Sequence, residues 1–404
     1  MELNTLFVIK RFLITALPAL LLTAGNTYAQ NPSLDVTVPP AALNAKEDKD
    51  ETPKVETVAT YSLTGYVDAY YAMYTDDVDP GKFQKFPSVS PRSNSPSLNT
   101  AMLSFQYNGN KMRTMVALHV GDIANSTWSN EYGPLMEAHA GVKIRKNLWL
   151  DAGMFRTHFG TEYLLPSENI ASSVAVGTYY EPYYESGLRL NYSPTSKLDI
   201  NLYLLNGYGI YTDNNETKSF GAAVTYTFND NWNIGYTNYI GDDNIVGGIS
   251  KLRVHQNAYV NYQKKKWRVQ AGGDYCIQEN SGIENSTKAA NMYSALLTVK
   301  FQATKLFGIY ARGEMLNDAD GIMTGVIRDQ ANKFTGYKLT GATLGAEYKP
   351  TTGSYVKLEG RVLQMDQDQW IFRYNGAAQN NRFEVMLHAG ITFDMLKGVV
   401  THTK

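Results

Sequence analysis

Between Leu198 and Leu204 every second residue is aliphatic, and the residues between them are Asp199, Asn201 and Tyr203. Successive side chains of a strand point to opposite sides of a sheet, so this run has one apolar face and one polar face. The same unit recurs down the chain. The stretch 148–206 reads LWLDAGMFRTHFG, then a long connection, then YESGLRLNYSPTSKLDINLYLLN, with a tight turn at Pro194-Thr195-Ser196. Repeated at this spacing, the pattern predicts an all-β fold. It is a closed antiparallel transmembrane β-barrel, apolar outside toward lipid and polar inside toward water.

Composition agrees by exclusion. Charged residues are 19% and the net charge is -1, so there is no basic surplus to hold nucleic acid and no acidic tail. Beyond the N-terminus no apolar run reaches the roughly 20 residues that a helical span needs. A barrel stays open, because alternating strands average to the hydropathy of a soluble protein, here -0.33. The 29 tyrosines suit aromatic girdles, and the lone Cys276 rules out an internal disulfide. A soluble β-sandwich shares the alternation, but it accounts less economically for a secretory signal and for turns and loops of unequal length.

Residues 1–29 read as a secretory signal: Lys10 and Arg11, an apolar core over 12–22, and Thr27-Tyr28-Ala29 as cleavage site. Residues 30–60 carry Pro32, Pro39, Pro40, Pro53 and the charge run 46–51, and are expected to be a disordered periplasmic segment. The barrel is expected over 61–404.

About sixteen strands are expected: 61–74, 98–108, 112–122, 135–145, 148–159, 183–193, 197–207, 218–228, 232–242, 253–263, 267–278, 291–302, 306–316, 337–349, 354–365 and 382–394. Their connections alternate short and long. The long ones fall near 75–97, 123–134, 160–182, 208–217, 243–252, 279–290, 317–336 and 366–381. Short periplasmic turns and long extracellular loops are the outer-membrane pattern, and an even strand count puts both chain ends on the short-turn rim. Outward sets include Phe220, Val224 and Phe228, then Leu297 and Val299, then Val356, Leu358 and Val362. Trp149, Trp232, Trp267, Tyr107 and Phe301 lie beside short turns, as a periplasmic girdle requires.

The opposite faces carry Glu137, His139, Lys143, Arg145, Arg156, His158, Glu185, Arg189, Arg253, Arg312, Glu314, Lys357, Glu359 and Arg361. A Lys or Arg facing lipid at the midplane costs roughly 2–4 kcal/mol, so these residues are expected to line the pore. About sixteen strands should leave an aqueous channel, and the mixed signs argue against strong ion selectivity. The connection 160–182 is too apolar for a solvated tip. It is expected to fold into the lumen as a constriction, with Glu162, Glu168 and Glu181 facing basic wall residues; the alternative is an ordered cap outside.

Other chemistry finds little support. The 6 histidines form no HExxH, and no GxSxG elbow occurs. Asp76-Asp77-Val78-Asp79 and 317–321 echo calcium-loop spacing but lack the closing Glu. No metal or cofactor is expected.

GMFRTHFGTE (153–162), TGYVDAYY (64–71), YYESGLRLNYSP (183–194) and LYLLNGYG (202–209) carry a resemblance. On these motifs the chain resembles the OmpL-like β-barrel porins of Gram-negative outer membranes over roughly 60–394. The resemblance implies a channel for small solutes. One departure stands out: Phe393 is followed by 394–404, so either the last strand extends or the insertion signal is internal. The expected function is an outer-membrane porin, a passive water-filled channel for small hydrophilic solutes, seated in outer-membrane lipid and without catalysis. Homotrimers are common among sixteen-stranded porins, though no interface is visible in the sequence. The alternative is a barrel enzyme or adhesin with a filled lumen.

Overall fold

A computed structural model describes residues 55–86, 88–242 and 248–403. The expected signal peptide and most of the expected tether lie outside these residues. The strands are β1 (Val55–Tyr74), β2 (Ser97–Gly109), β3 (Met112–Val120), β4 (Leu135–Arg145), β5 (Leu148–Arg156), β6 (Tyr184–Tyr192), β7 (Leu198–Leu205), β8 (Ser219–Asn229) and β9 (Trp232–Asp242). They continue as β10 (Leu252–Lys264), β11 (Trp267–Gln278), β12 (Ala290–Gln302), β13 (Phe307–Asp318), β14 (Ile327–Arg328), β15 (Phe334–Thr335), β16 (Tyr337–Tyr348), β17 (Ser354–Tyr374) and β18 (Ala377–Thr403). All except the small β14–β15 pair close into one antiparallel barrel of sixteen strands, with β1 hydrogen-bonded to β18. No helix among the described residues is long and apolar enough to cross a membrane.

The period-two faces hold along the wall. Leu202, Phe220, Leu297, Val356 and Leu358 stand exposed on the outside, while their chain neighbours Tyr203, Ser219, Thr298 and Lys357 are buried inside. Trp232 packs tilted against Tyr262, and Trp267 against Phe301, on the outer face at the short-turn rim, with ring centroids 4.4 and 4.8 Å apart. Trp149 departs from the expected girdle. Its ring lies under the Arg113 guanidinium at 4.7 Å and the Lys143 ammonium at 5.5 Å, on the lumen side.

Two expectations about the end of the chain are corrected. No long loop spans 366–381, because β17 and β18 run on to a tight turn at Asn375-Gly376, both with positive φ. Gln364 and Gln369 mark register shifts there, which is why the alternation breaks after Met365. The last strand extends to Thr403, paired with Val55, so both ends of the barrel lie on the short-turn rim.

Gly153 and Gly187, one in each of two motifs, face each other across β5 and β6. Both have φ between +130° and +150°, at 134 and 149. A side chain is strained there, and an added Cβ would run into the backbone oxygen of Ala138 or Leu204.

Candidate functional site: the lumen

Two connections fold inward. The first, 157–183, crosses the lumen from β5 and docks on the wall formed by β10–β17. It contains the single-turn helix α1 (Val176–Tyr179). Its apolar side chains Leu164, Leu165, Ile170 and Val174 are buried, which excludes the cap outside the pore. Wall charges pin its backbone. Lys357 Nζ donates to the carbonyl oxygens of Pro166 (2.7 Å) and Asn169 (2.9 Å). Glu359 accepts from the amides of Ser172 (2.8 Å) and Ser173 (3.3 Å), from Ser173 Oγ, and from Tyr310 Oη (2.9 Å). Glu314 accepts from the amide of Val176 at 2.7 Å. Gly272 on β11 permits the approach, since a Cβ there would overlap the Thr161 side chain.

The loop acids find partners at contact distance. Glu162 accepts from the amide of Ala175 (2.7 Å) and from Arg312 Nη1 (3.2 Å). Glu168 receives two parallel bonds from Arg156, at 2.7 and 2.6 Å. Glu181 departs from expectation: it faces Asn257 Nδ2 at 3.2 Å and the Asp274 carboxylate, and no cation. Burial first, then the Asp274 carboxylate beside it, pushes the Glu181 pKa well above the usual carboxyl range. Paired groups at contact distance replace the expected field across an open gap.

The wall residues are held in local pairs and clusters. Arg361 holds Glu314 through Nε and Nη2, both at 2.9 Å, and approaches Glu384 at 3.6 Å. Arg312 reaches Glu314 at 3.3 Å. His139 bonds Glu137 at 3.1 Å, and His158 Nδ1 bonds Glu185 at 2.7 Å. Arg189 and Arg113 share Asp151. Arg253 Nε donates to Gln278 at 2.8 Å, its guanidinium lying 4.6 Å from the Tyr208 ring. Lys143 faces the lumen over Trp149. Arg145 does not: a register shift after Lys143 sets it opposite Leu148, whose side chain points outward, so it leaves the lumen face at the rim. The bulged Ile144 is the cause, and no signal in the sequence marks it.

The second inward connection has no counterpart among the sequence-based expectations. It runs over 83–86 and 88–93, after β1. Phe86 packs on Tyr337 and Phe372, with centroids 5.8 and 5.0 Å apart. The buried Arg382 lies 4.2 Å from the Tyr74 ring, and its Nε stands at ion-pair distance from Asp76 (3.2 Å) and Glu384 (3.0 Å). Ser90 Oγ is 2.8 Å from His388 Nε2, and His388 Nδ1 is 2.9 Å from Asp68. Asp68 also accepts from Asn99 and Tyr355. Strand parity would have exposed Asp68, Asp151, Arg382 and Glu347 as lumen residues. Ser90 lies in a connection without periodicity and carries no such signal.

Together these connections change what the strand count implies. Arg361, Glu359, His388 and Glu185 are each 2% exposed or less. A wide aqueous bore past them would leave them wet, so the lumen is packed at that level. Closer to the short turns, Asn191, Asn201, Asn233 and Asn261 are partly exposed around an open polar chamber.

A closed sixteen-stranded barrel with an apolar outer band, a polar interior and inward loops defines an outer-membrane barrel of the porin class. The chain belongs to the family described as "Putative beta-barrel porin-2, OmpL-like", which matches residues 60–393. Among solved structures it is similar to the anion-selective porin from Comamonas acidovorans (10% identity, TM-score 0.56, 83% of this chain and 100% of that one). It is similar also to Salmonella typhi OmpF in complex with daunomycin (12%, 0.56, 82% and 97%). OmpT of Vibrio cholerae in its trimer form gives 12%, 0.54, 83% and 100%. At these identities the likeness is one of fold. No functionally curated protein matches the chain.

Proposed function

We propose that the protein is a passive diffusion channel for small hydrophilic solutes across the outer membrane, to which a cleaved signal peptide over 1–29 delivers it. The observation that carries this reading is the connection 157–183, seated inside a polar sixteen-stranded lumen and held there by hydrogen bonds and ion pairs. Water can substitute for such contacts as the loop shifts, which an apolar plug would not allow. In this reading Glu137, His139, Lys143, Arg156, His158, Glu185, Arg189, Arg253, Arg312, Glu314, Lys357, Glu359 and Arg361 line the path. Glu162, Glu168 and Glu181 belong to the constriction. The charges at the packed level pair off, so sorting by sign is weak there. A homotrimer accords with OmpT, whose structure is of a trimer form. Liposome swelling tests the proposal: proteoliposomes should swell in small sugars and progressively less in larger ones. Equal impermeability to all of them would refute it.

An enzyme is the second reading, and its one favouring observation is the Ser90–His388–Asp68 chain. Three features oppose it. All three residues are fully buried, the amide of Ser90 is spent on Ser88 Oγ at 3.1 Å, and Tyr74 Oη donates to the Ser90 carbonyl. The Ser90–His388–Asp68 chain acts instead as a latch for the second inward connection, over 83–86 and 88–93. A fluorophosphonate probe should leave Ser90 unlabelled; stoichiometric labelling would restore the enzyme reading.

A further inference from the structure

Resting on the channel reading, we infer that the lumen prefers small anions over small cations.

The inference comes from the chamber between the inward loop and the short turns. On the wall of β3–β6, Arg113 and Arg189 both bond Asp151, so two guanidiniums meet one carboxylate. Lys143 adds a third cation there, with only the Trp149 ring against it. Eight positions round the barrel lies the facing wall, β11–β17. There Glu347 is the carboxylate for Lys300, for Lys349 at 3.6 Å and for Lys357 at 3.9 Å. Arg268 stands beside Lys300 in the register of β11 and β12, and makes no hydrogen bond or ion pair with the described residues.

The remaining acids of the chamber do not restore balance. Asp199 on β7 is held only by neutral groups, Asn191 (2.9 Å), Ser193 (2.6 Å) and Asn201 (2.6 Å), and so counts as one uncancelled acid beside the three cations of β3–β6, while Asp394 pairs with Lys397 at 2.6 Å. The turns extend the imbalance: the seven short turns on this rim carry, besides Lys349, six further lysines and a single acid, Asp230. Cations exceed carboxylates on both walls and at the mouth.

Paired charges cancel within a few ångströms, but an excess of one sign lining a low-dielectric cleft is focused into the water between its walls. At physiological salt the screening length is about 8 Å, comparable with the depth over which such a chamber acts. A positive potential of only one kT would enrich a monovalent anion over a monovalent cation about sevenfold. The packed level above sets whether a solute passes, and the chamber sets which sign reaches it.

Purified full-length protein in a planar bilayer under a KCl gradient gives the test. The reversal potential should report chloride over potassium permeability of about 3 or more at 0.1 M salt. The ratio should fall toward one at 1 M, where the screening length is about 3 Å. The double variant R268Q/K143Q should also lower it, and it removes two cations without stranding a buried carboxylate. Conduction with a ratio at or below one, or a ratio unmoved by the double variant, overturns the inference and leaves the channel standing. Absence of conductance in folded protein overturns the channel reading as well.

Discussion

The ammonium of Lys357 on β17 donates to the carbonyl oxygen of Asn169 at 2.9 Å, joining the barrel wall to the middle of a loop 188 residues earlier in the chain. Hydrogen bonds to a charged group contribute about 1.5–3 kcal/mol each, so this contact and its neighbour at Pro166 should hold the stretch 166–171 of the loop to the wall. Lys357→Met keeps the length of the side chain and removes its donors. Amide exchange over 166–173 should then speed up by about tenfold or more, read by mass spectrometry, with exchange in the strands unchanged. Exchange at the native rate would show that the loop is held elsewhere.

Removing one partner of a buried pair leaves the other charge uncompensated. Glu314 compensates both Arg361 and Arg312, and its side chain is 2% exposed. Glu314→Gln should destabilise the barrel by about 3 kcal/mol, seen as a lower urea midpoint for refolded protein in detergent. Replacing Arg361 by Met in the same chain should recover part of the loss.

Gly272 sits where the inward loop begins to dock, with Thr161 filling the space a side chain would need. Gly272→Val should displace the start of the loop and change the size cut-off for sugars. Gly313→Ala is the control, since nothing lies within 4 Å of the position its Cβ would take. Equal behaviour of the two variants would mean that docking at Thr161 does not set the cut-off.

The two faces of β7 give opposite expectations at adjacent positions. Leu202 stands on the outer face, 49% exposed, and Asn201 faces the chamber. Leu202→Arg should cost about 2–4 kcal/mol in lipid, whereas Asn201→Arg should change stability by roughly 0.5 kcal/mol or less. Folding yields in liposomes that rank the other way would invert the barrel.

Much of this was legible in the sequence because period two survives wherever one face meets lipid. Leu198–Leu204 and Val356–Val362 carry the alternation for that reason, with Leu202, Val356, Leu358 and Val362 exposed on the outer face. The inward fold of 160–182 was readable from Leu164, Leu165 and Ile170, which no solvated loop would carry. Failures occurred where the pattern is local or absent. The bulge at Ile144 turns Arg145 outward through a single extra residue. Glu181 meets an acid because its neighbour on the wall, Asp274, is fixed by tertiary register. The connection over 83–86 and 88–93 buries Phe86 and Val89 among the serines Ser88, Ser90 and Ser93, too few apolar side chains for its composition to announce that it enters the barrel.

Single-channel recording in planar bilayers tests the central claim most directly, namely that a polar path runs through this barrel once its inward loops shift. The account predicts discrete conductance steps that grow with salt and become larger or longer-lived in the Lys357→Met variant. Folded, bilayer-inserted protein that gives no steps at any voltage, native or variant, would contradict it.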